Sequence, residues 1–125
     1  MNQKTILVAV TDIFFYTKVR DAMMAMGYKI ERARTQQDIA EKSSDTNPAA
    51  FILNMNDDRL DAFQALDTLK ADARLKTIPI LAFANHEEVE TFHRAKALGV
   101  TKIVSRNEFS SRLKDLIEEV AGTHV

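Results

Sequence analysis

Five apolar runs punctuate the chain, and each is followed by a stretch whose apolar residues recur at helical spacing. Residues 6–10 (ILVAV) form a continuous run rich in branched side chains, the pattern of a strand buried on both faces. Thr11 or Asp12 stands where a helix N-cap belongs. Phe15, Val19, Ala22, Met23 and Met26 then recur at helical spacing, and Gly27 ends the helix. Residues 28–33 (YKIERA) alternate, which predicts a second, less buried strand. Thr35 opens a shorter helix carrying Ile39 and Ala40, and residues 43–48 (SSDTNP) read as a loop.

Residues 49–53 (AAFIL) predict the third strand. Asp61 caps a helix that buries Phe63, Leu66 and Leu69, and residues 73–77 (ARLKT) connect it onward. Residues 78–84 (IPILAFA) predict the fourth strand, with Pro79 near its start, where a missing N–H is tolerated. Asn85 and Glu88 have capping-box spacing ahead of a helix that buries Val89, Phe92 and Leu98 and stops at Gly99. Residues 101–105 (TKIVS) predict the fifth strand. The last helix carries the clearest stripe: Phe109, Leu113, Leu116, Ile117 and Val120. Met23, Met24 and Met26 read as packing residues, and Phe14 and Tyr16 flank the buried Phe15 with partial exposure.

Five strand–helix repeats imply a parallel sheet covered on both faces with right-handed crossovers. The expected fold is α/β, a flavodoxin-like (βα)5 three-layer sandwich with a five-stranded parallel sheet of order 2-1-3-4-5. In that order the functional crevice lies at the carboxyl ends of strands 1 and 3, where the winding direction reverses. This selects Val10, Thr11, Asp12 and Asn54, with Ala84 and Arg106 at the ends of strands 4 and 5 able to reach the same place.

Composition removes several functional classes. The 125 residues, 46% hydrophobic, suit one domain with one core, expected over residues 4–121. A net charge of −1 with interspersed signs gives no electrostatic case for nucleic acid or an anionic membrane. Absence of Cys excludes disulfides and thiolate chemistry. The amino-terminal apolar run is too short for a signal peptide or a membrane span. A soluble cytoplasmic domain with no appended output module is expected.

The crevice segments lack most ligand signatures. No Gly follows the first strand, so neither a P-loop nor a dinucleotide fingerprint is present, and the bulky Ile13, Phe14 and Phe15 argue against a flavin phosphate loop. Residues 54–61 (NMNDDRLD) lack the Gly and late Glu of a calcium loop. His86, His93 and His124 have no metal-ligand spacing and read as solvated surface residues. No Ser-His-acid set is visible. Asp57 and Asp58 read as solvated loop acids.

Taken in order, residues 54–62 (NMNDDRLDA), 78–84 (IPILAFA) and 97–107 (ALGVTKIVSRN) resemble the response-regulator receiver family over nearly the whole chain. In that family the third strand ends in a phosphorylated Asp followed by a D-x-x-x-P-x-M-D-G loop. Asn54 falls at the phosphoacceptor, Leu60-Asp61 at the Met-Asp and Ala62 at the Gly. Ala84 falls at the family's Ser/Thr, Ile103 at its switch aromatic, Arg106 at its Lys and Asn107 at its Pro. The acidic pair falls, without gaps, on Val10 and Thr11, with Asp12 the next acidic position.

The resemblance therefore implies a degenerate pocket: Asn54 as phosphoacceptor equivalent, with Val10, Thr11, Asp12, Asp57, Ala84 and Arg106 around it. An amide is a poor nucleophile, and Mg²⁺ wants carboxylate oxygens, so weak or absent Mg²⁺ binding and no cofactor are expected. Arg106 is expected to pair with Asp12 or Asp57 and lock the pocket without an ion. The expected role is a non-enzymatic receiver-like signalling domain in a two-component or phosphorelay-related pathway, acting by phosphorylation-independent protein–protein interaction. Its contact face, by resemblance, is helix 4, strand 5 and helix 5 (residues 85–98 and 101–120), used for a protein partner or a homodimer. Ile103 in place of the aromatic implies one fixed conformation. Two alternatives stand: a receiver phosphorylated at another carboxylate, and a module that holds a small ligand in the crevice.

Overall fold

In the computed structural model, which describes residues 4–121, strands and helices alternate from end to end. Strands β1 (Thr5–Ala9), β2 (Lys29–Arg32), β3 (Ala50–Asn54), β4 (Ile80–Ala84) and β5 (Lys102–Ser105) pair in parallel, in the order β2-β1-β3-β4-β5. Helices α1 (Ile13–Ala25), α2 (Gln36–Thr46), α3 (Ala62–Ala71) and α4 (Val89–Ala97) connect them, and α5 (Arg106–Ser111) and α6 (Leu113–Ala121) follow β5. This is the flavodoxin-like three-layer sandwich that the repeats predict.

Alternation along the strands splits the core in two. Leu7, Phe51, Leu53, Ile80 and Ala82 face one side, where they pack with Ile39, Leu66, Leu69 and Ala95 from α2, α3 and α4. Ile6, Val8, Ile52, Leu81 and Phe83 face the other, where they meet Val19 and Met23 of α1, Phe109 of α5 and Leu116 and Ile117 of α6. Strands β3 and β4 are buried along their whole length, whereas the edge strand β2 is not.

The structure departs from the sequence reading at four places. Residues 43–46 are helical and extend α2, because Ser43 and Thr46 return their hydroxyls to the carbonyls of Ile39 and Lys42 one turn back. Asn47, left-handed at φ 47°, ends that helix. The last helix is two helices, since Arg112 (φ −122°, ψ 27°) leaves helical geometry between α5 and α6. The Asn85–Glu88 capping box does not form: Glu88 makes no side-chain cap bond, and the Asn85 N–H is held by Asn56. Val89 is 56% exposed and Met24 60%, so neither is a packing residue; α4 buries Ala95 instead.

No helix among the described residues is long and apolar enough to cross a membrane. His86 and His93 are exposed, as expected, and His124 lies outside the described residues.

Candidate functional site

The carboxyl ends of β1 and β3 open onto a crevice of about 510 Å³, lined by Thr11, Asp12, Ile13, Phe14, Asn54, Asn56, Asp57, Asp58, Arg59 and Arg106. It sits where the winding reverses. Of the residues the strand-end rule selects, Thr11, Asp12, Asn54 and Arg106 meet there, and Asp57, which the resemblance adds, joins them. Val10 and Ala84 do not. Both are at most 1% exposed and neither lines the crevice. Val10 turns into the core on the α1 side of the sheet, and Ala84 packs with the cluster on the opposite face. The crevice is therefore lined mostly by polar and charged side chains.

Asp57 is no solvated loop acid. Its carboxylate accepts the Thr11 N–H and the Thr11 hydroxyl at 2.8 Å each, and the N–H groups of Arg59 (2.9 Å) and Leu60 (3.1 Å). Four donors on one carboxylate, three of them on Oδ1, join the end of β1 to the loop after β3. Asp12 is the N-cap of α1, its Oδ1 accepting from Phe14 N at 2.9 Å and Phe15 N at 3.1 Å. Asp61 caps α3 through Gln64 N and also binds Gln36, which ties that loop to α2.

Arg106 turns toward Asp12, not Asp57. One Nη lies 4.0 Å from Asp12 Oδ2, a long contact between half-exposed groups. Such a pair contributes at most about 0.2–1 kcal/mol. The guanidinium is held as much by rings, its carbon 4.5 Å from the centroid of Phe15 and 5.9 Å from that of Phe83. Beneath it Phe83 stacks on Phe109 at 4.2 Å, with Phe15 5.0 Å from Phe83. Ile103, in the middle of β5 beside Ala82, is 8% exposed and belongs to the core.

Sequence reasoning missed several residues in and around the crevice. Asn56 reaches across to Asn85 at 2.8 Å and pins the β4 end to the β3 loop. Ile13 and Phe14 form an apolar rim, Phe14 87% exposed. Arg32, at the end of β2, donates to the Thr11 carbonyl at 3.1 Å and lies over Tyr16. The strand order itself carried a signal for Arg32, since the ends of β2 and β1 are neighbours. Among the described residues no group of three or more His, Asp or Glu is arranged to hold a metal ion.

Comparison with known proteins is one-sided. The sequence matches no protein-family model and no curated protein. Solved structures match over nearly the whole chain. The signal receiver domain of a response regulator from Bermanella marisrubri aligns at a TM-score of 0.84 and 19% identity, covering 95% of this chain and 98% of its own. A putative response regulator from Chloroflexus aurantiacus aligns at 0.86 and 15%, covering 97% and 99%. The chemotaxis response regulator CheY4 of Vibrio cholerae aligns at 0.83 and 18%, covering 94% and 98%. At these identities the likeness is one of architecture: this chain has the fold of response-regulator receiver domains.

Proposed function

We propose that this chain is a receiver-like signalling domain of a two-component or phosphorelay-related pathway that acts by protein–protein contact without being phosphorylated. One observation carries the reading. The strand-end position that needs a nucleophilic carboxylate holds Asn54, 5% exposed, its oxygen bound to the Asn56 N–H at 2.9 Å. The surroundings support it. A hydrated Mg²⁺ needs free carboxylate oxygens in octahedral array. Asp57 already accepts four hydrogen bonds, Asp12 gives one oxygen to the start of α1, and among the described residues no three acids are grouped to hold a metal, so the acceptor set does not fit the ion. In place of a metal, the Thr11–Asp57 bonds and Arg106 hold the walls of the crevice in one state. The contact face is α4, β5 and the two helices after it, where Val89 offers exposed apolar surface.

The test is intact mass after incubation with Mg²⁺ and acetyl phosphate. An unchanged mass is expected; a rapid, base-labile gain of one phosphoryl group would overturn the reading. The competing reading, phosphorylation at another carboxylate, has Asp12 and Asp58 as its exposed crevice acids, and fragment masses from the same sample would locate the modified residue.

A further inference from the structure

Two carboxamides in the crevice are oriented by backbone donors. Asn54 Oδ1 accepts the Asn56 N–H at 2.9 Å, and Asn56 Oδ1 accepts the Asn85 N–H at 2.8 Å. With both oxygens turned to main-chain N–H groups, each Nδ2 points the other way. Neither Nδ2 hydrogen-bonds to any described residue. Asn54 is 5% exposed, yet its Nδ2 is not sealed in the core: the only fully buried side-chain nitrogen without a partner among the described residues is Arg32 Nε. The Asn54 donor therefore opens onto the crevice that Asn54 and Asn56 both line. Arg106 lines the same space, and its closest carboxylate oxygen is 4.0 Å away, beyond hydrogen-bond distance.

Asp57 accepts four donors and Asp12 Oδ1 two, which leaves Asp12 Oδ2 and the exposed Asp58 carboxylate as the side-chain acids there without a hydrogen bond to any described residue. A pocket that in a metal-dependent site would offer oxygens to a cation here offers N–H groups to an anion. Its rim is apolar, formed by Ile13 (53% exposed) and Phe14, and its 510 Å³ falls within the range of small-molecule sites.

We propose that the crevice binds an organic carboxylate without a metal, its oxygens on Asn54 Nδ2, Asn56 Nδ2 and the Arg106 fork and its apolar body against Ile13 and Phe14. A planar monoanion matches a guanidinium fork. A dianion is disfavoured, because the lining carries Asp12, Asp57 and Asp58 against Arg59 and Arg106. The inference rests on the metal-free reading of the crevice given above, and its failure is separable from failure of that reading. The titration below uses EDTA and no phosphoryl donor, so it leaves the mass measurement independent.

Benzoate is titrated into ¹⁵N-labelled protein in EDTA at constant ionic strength, with acetate, benzamide and inorganic phosphate in parallel. The expected result is saturable displacement of the Asn54 and Asn56 side-chain NH₂ signals, with benzoate tighter than acetate by about three- to tenfold, the weight of one aromatic contact. Phe14→Ala should bring benzoate down to the level of acetate. Asn54→Asp, which replaces the donor with a carboxylate, should abolish binding. Asp12→Asn keeps the cap oxygen and removes a charge, so it should tighten benzoate several-fold, and it keeps the test decisive if Asn54→Asp does not fold. Lack of saturable displacement, equal binding of benzamide, tighter binding of phosphate, or binding undiminished in Asn54→Asp would each overturn the proposal. A phosphoryl mass gain with benzoate still bound would sink only the signalling reading; no benzoate binding with an unchanged mass would sink only this one.

Discussion

The carboxylate of Asp57 holds Thr11 by both its N–H and its hydroxyl, each at 2.8 Å, across 46 residues of sequence. The contact joins the end of β1 to the loop after β3, the two edges of the crevice. A hydrogen bond to a charged acceptor in a partly buried site contributes about 1.5–3 kcal/mol. Thr11→Val keeps the shape and the backbone bond but removes the hydroxyl. It should cost about 1–2 kcal/mol, which for a domain of this size lowers Tm by roughly 3–10 °C. Thermal unfolding of the two proteins checks this, and a Tm within 1 °C of the parent would show that the hydroxyl is idle.

Placing a carboxylate at the strand end should not by itself confer phosphoryl transfer. Asn54→Asp places a charge in a site 5% exposed, beside Asp57 and Asp12. Like charges at close range destabilise one another, and a loss of about 1–3 kcal/mol is expected. Its mass should remain unchanged with acetyl phosphate and Mg²⁺. The double variant Asn54→Asp with Thr11→Asp removes a donor from Asp57 and adds a second acid, so Mg²⁺ should raise its Tm while leaving that of the parent unmoved. Differential scanning fluorimetry with and without Mg²⁺ reads the difference.

The architecture was legible because burial dictates pattern. Two-sided strands must be apolar, as β4 is throughout and β3 is up to its terminal Asn54, and polar caps such as Asp12, Thr35 and Asp61 mark helix starts by a local bond. Where partners were local but the rule was compositional, the reading failed: a run of Ser, Asp and Thr looks like loop, yet Ser43 and Thr46 satisfy their hydroxyls inside α2. The crevice was legible in position and not in chemistry. Strand order located Asn54 and Arg106. Asp57 looked like a free acid because its main partner, Thr11, lies 46 positions away. Val10 and Ala84 sit at strand ends, but the pleat turns them inward.

Two carboxyl groups outside the crevice set an acid dependence. The Asp72 carboxyl is held below its ordinary value by the Arg74 N–H, then by the Arg74 side chain. The Glu119 carboxyl is lowered by its hydrogen bond to Lys102. A lowered folded-state pKa means that the ionised group is favoured by folding. The contribution is complete above the ordinary carboxylate value of about 4 and disappears as pH falls through the lower folded value. Both groups lie near water, so the effect is small and shrinks with salt. Urea denaturation between pH 6 and pH 3 should therefore show a shallower acid loss for Asp72→Asn with Glu119→Gln than for the parent, and the gap should narrow in 1 M salt.

Arg106 and Ile103 together test whether the crevice has one state. Arg106→Lys keeps the charge near Asp12 but gives up the flat contact with Phe15 and Phe83. The loss should be about 0.5–1 kcal/mol, and Arg106→Ala should lose little more, since the ion pair is long and half exposed. Ile103 is 8% exposed and packed among core residues on its face of the sheet. A larger ring at that packed position should cost about 1–3 kcal/mol through overpacking in Ile103→Tyr. If instead Ile103→Tyr is neutral in thermal unfolding and its ring exchanges between two environments by NMR, β5 retains room for a second conformation and the single locked state proposed for this domain is wrong.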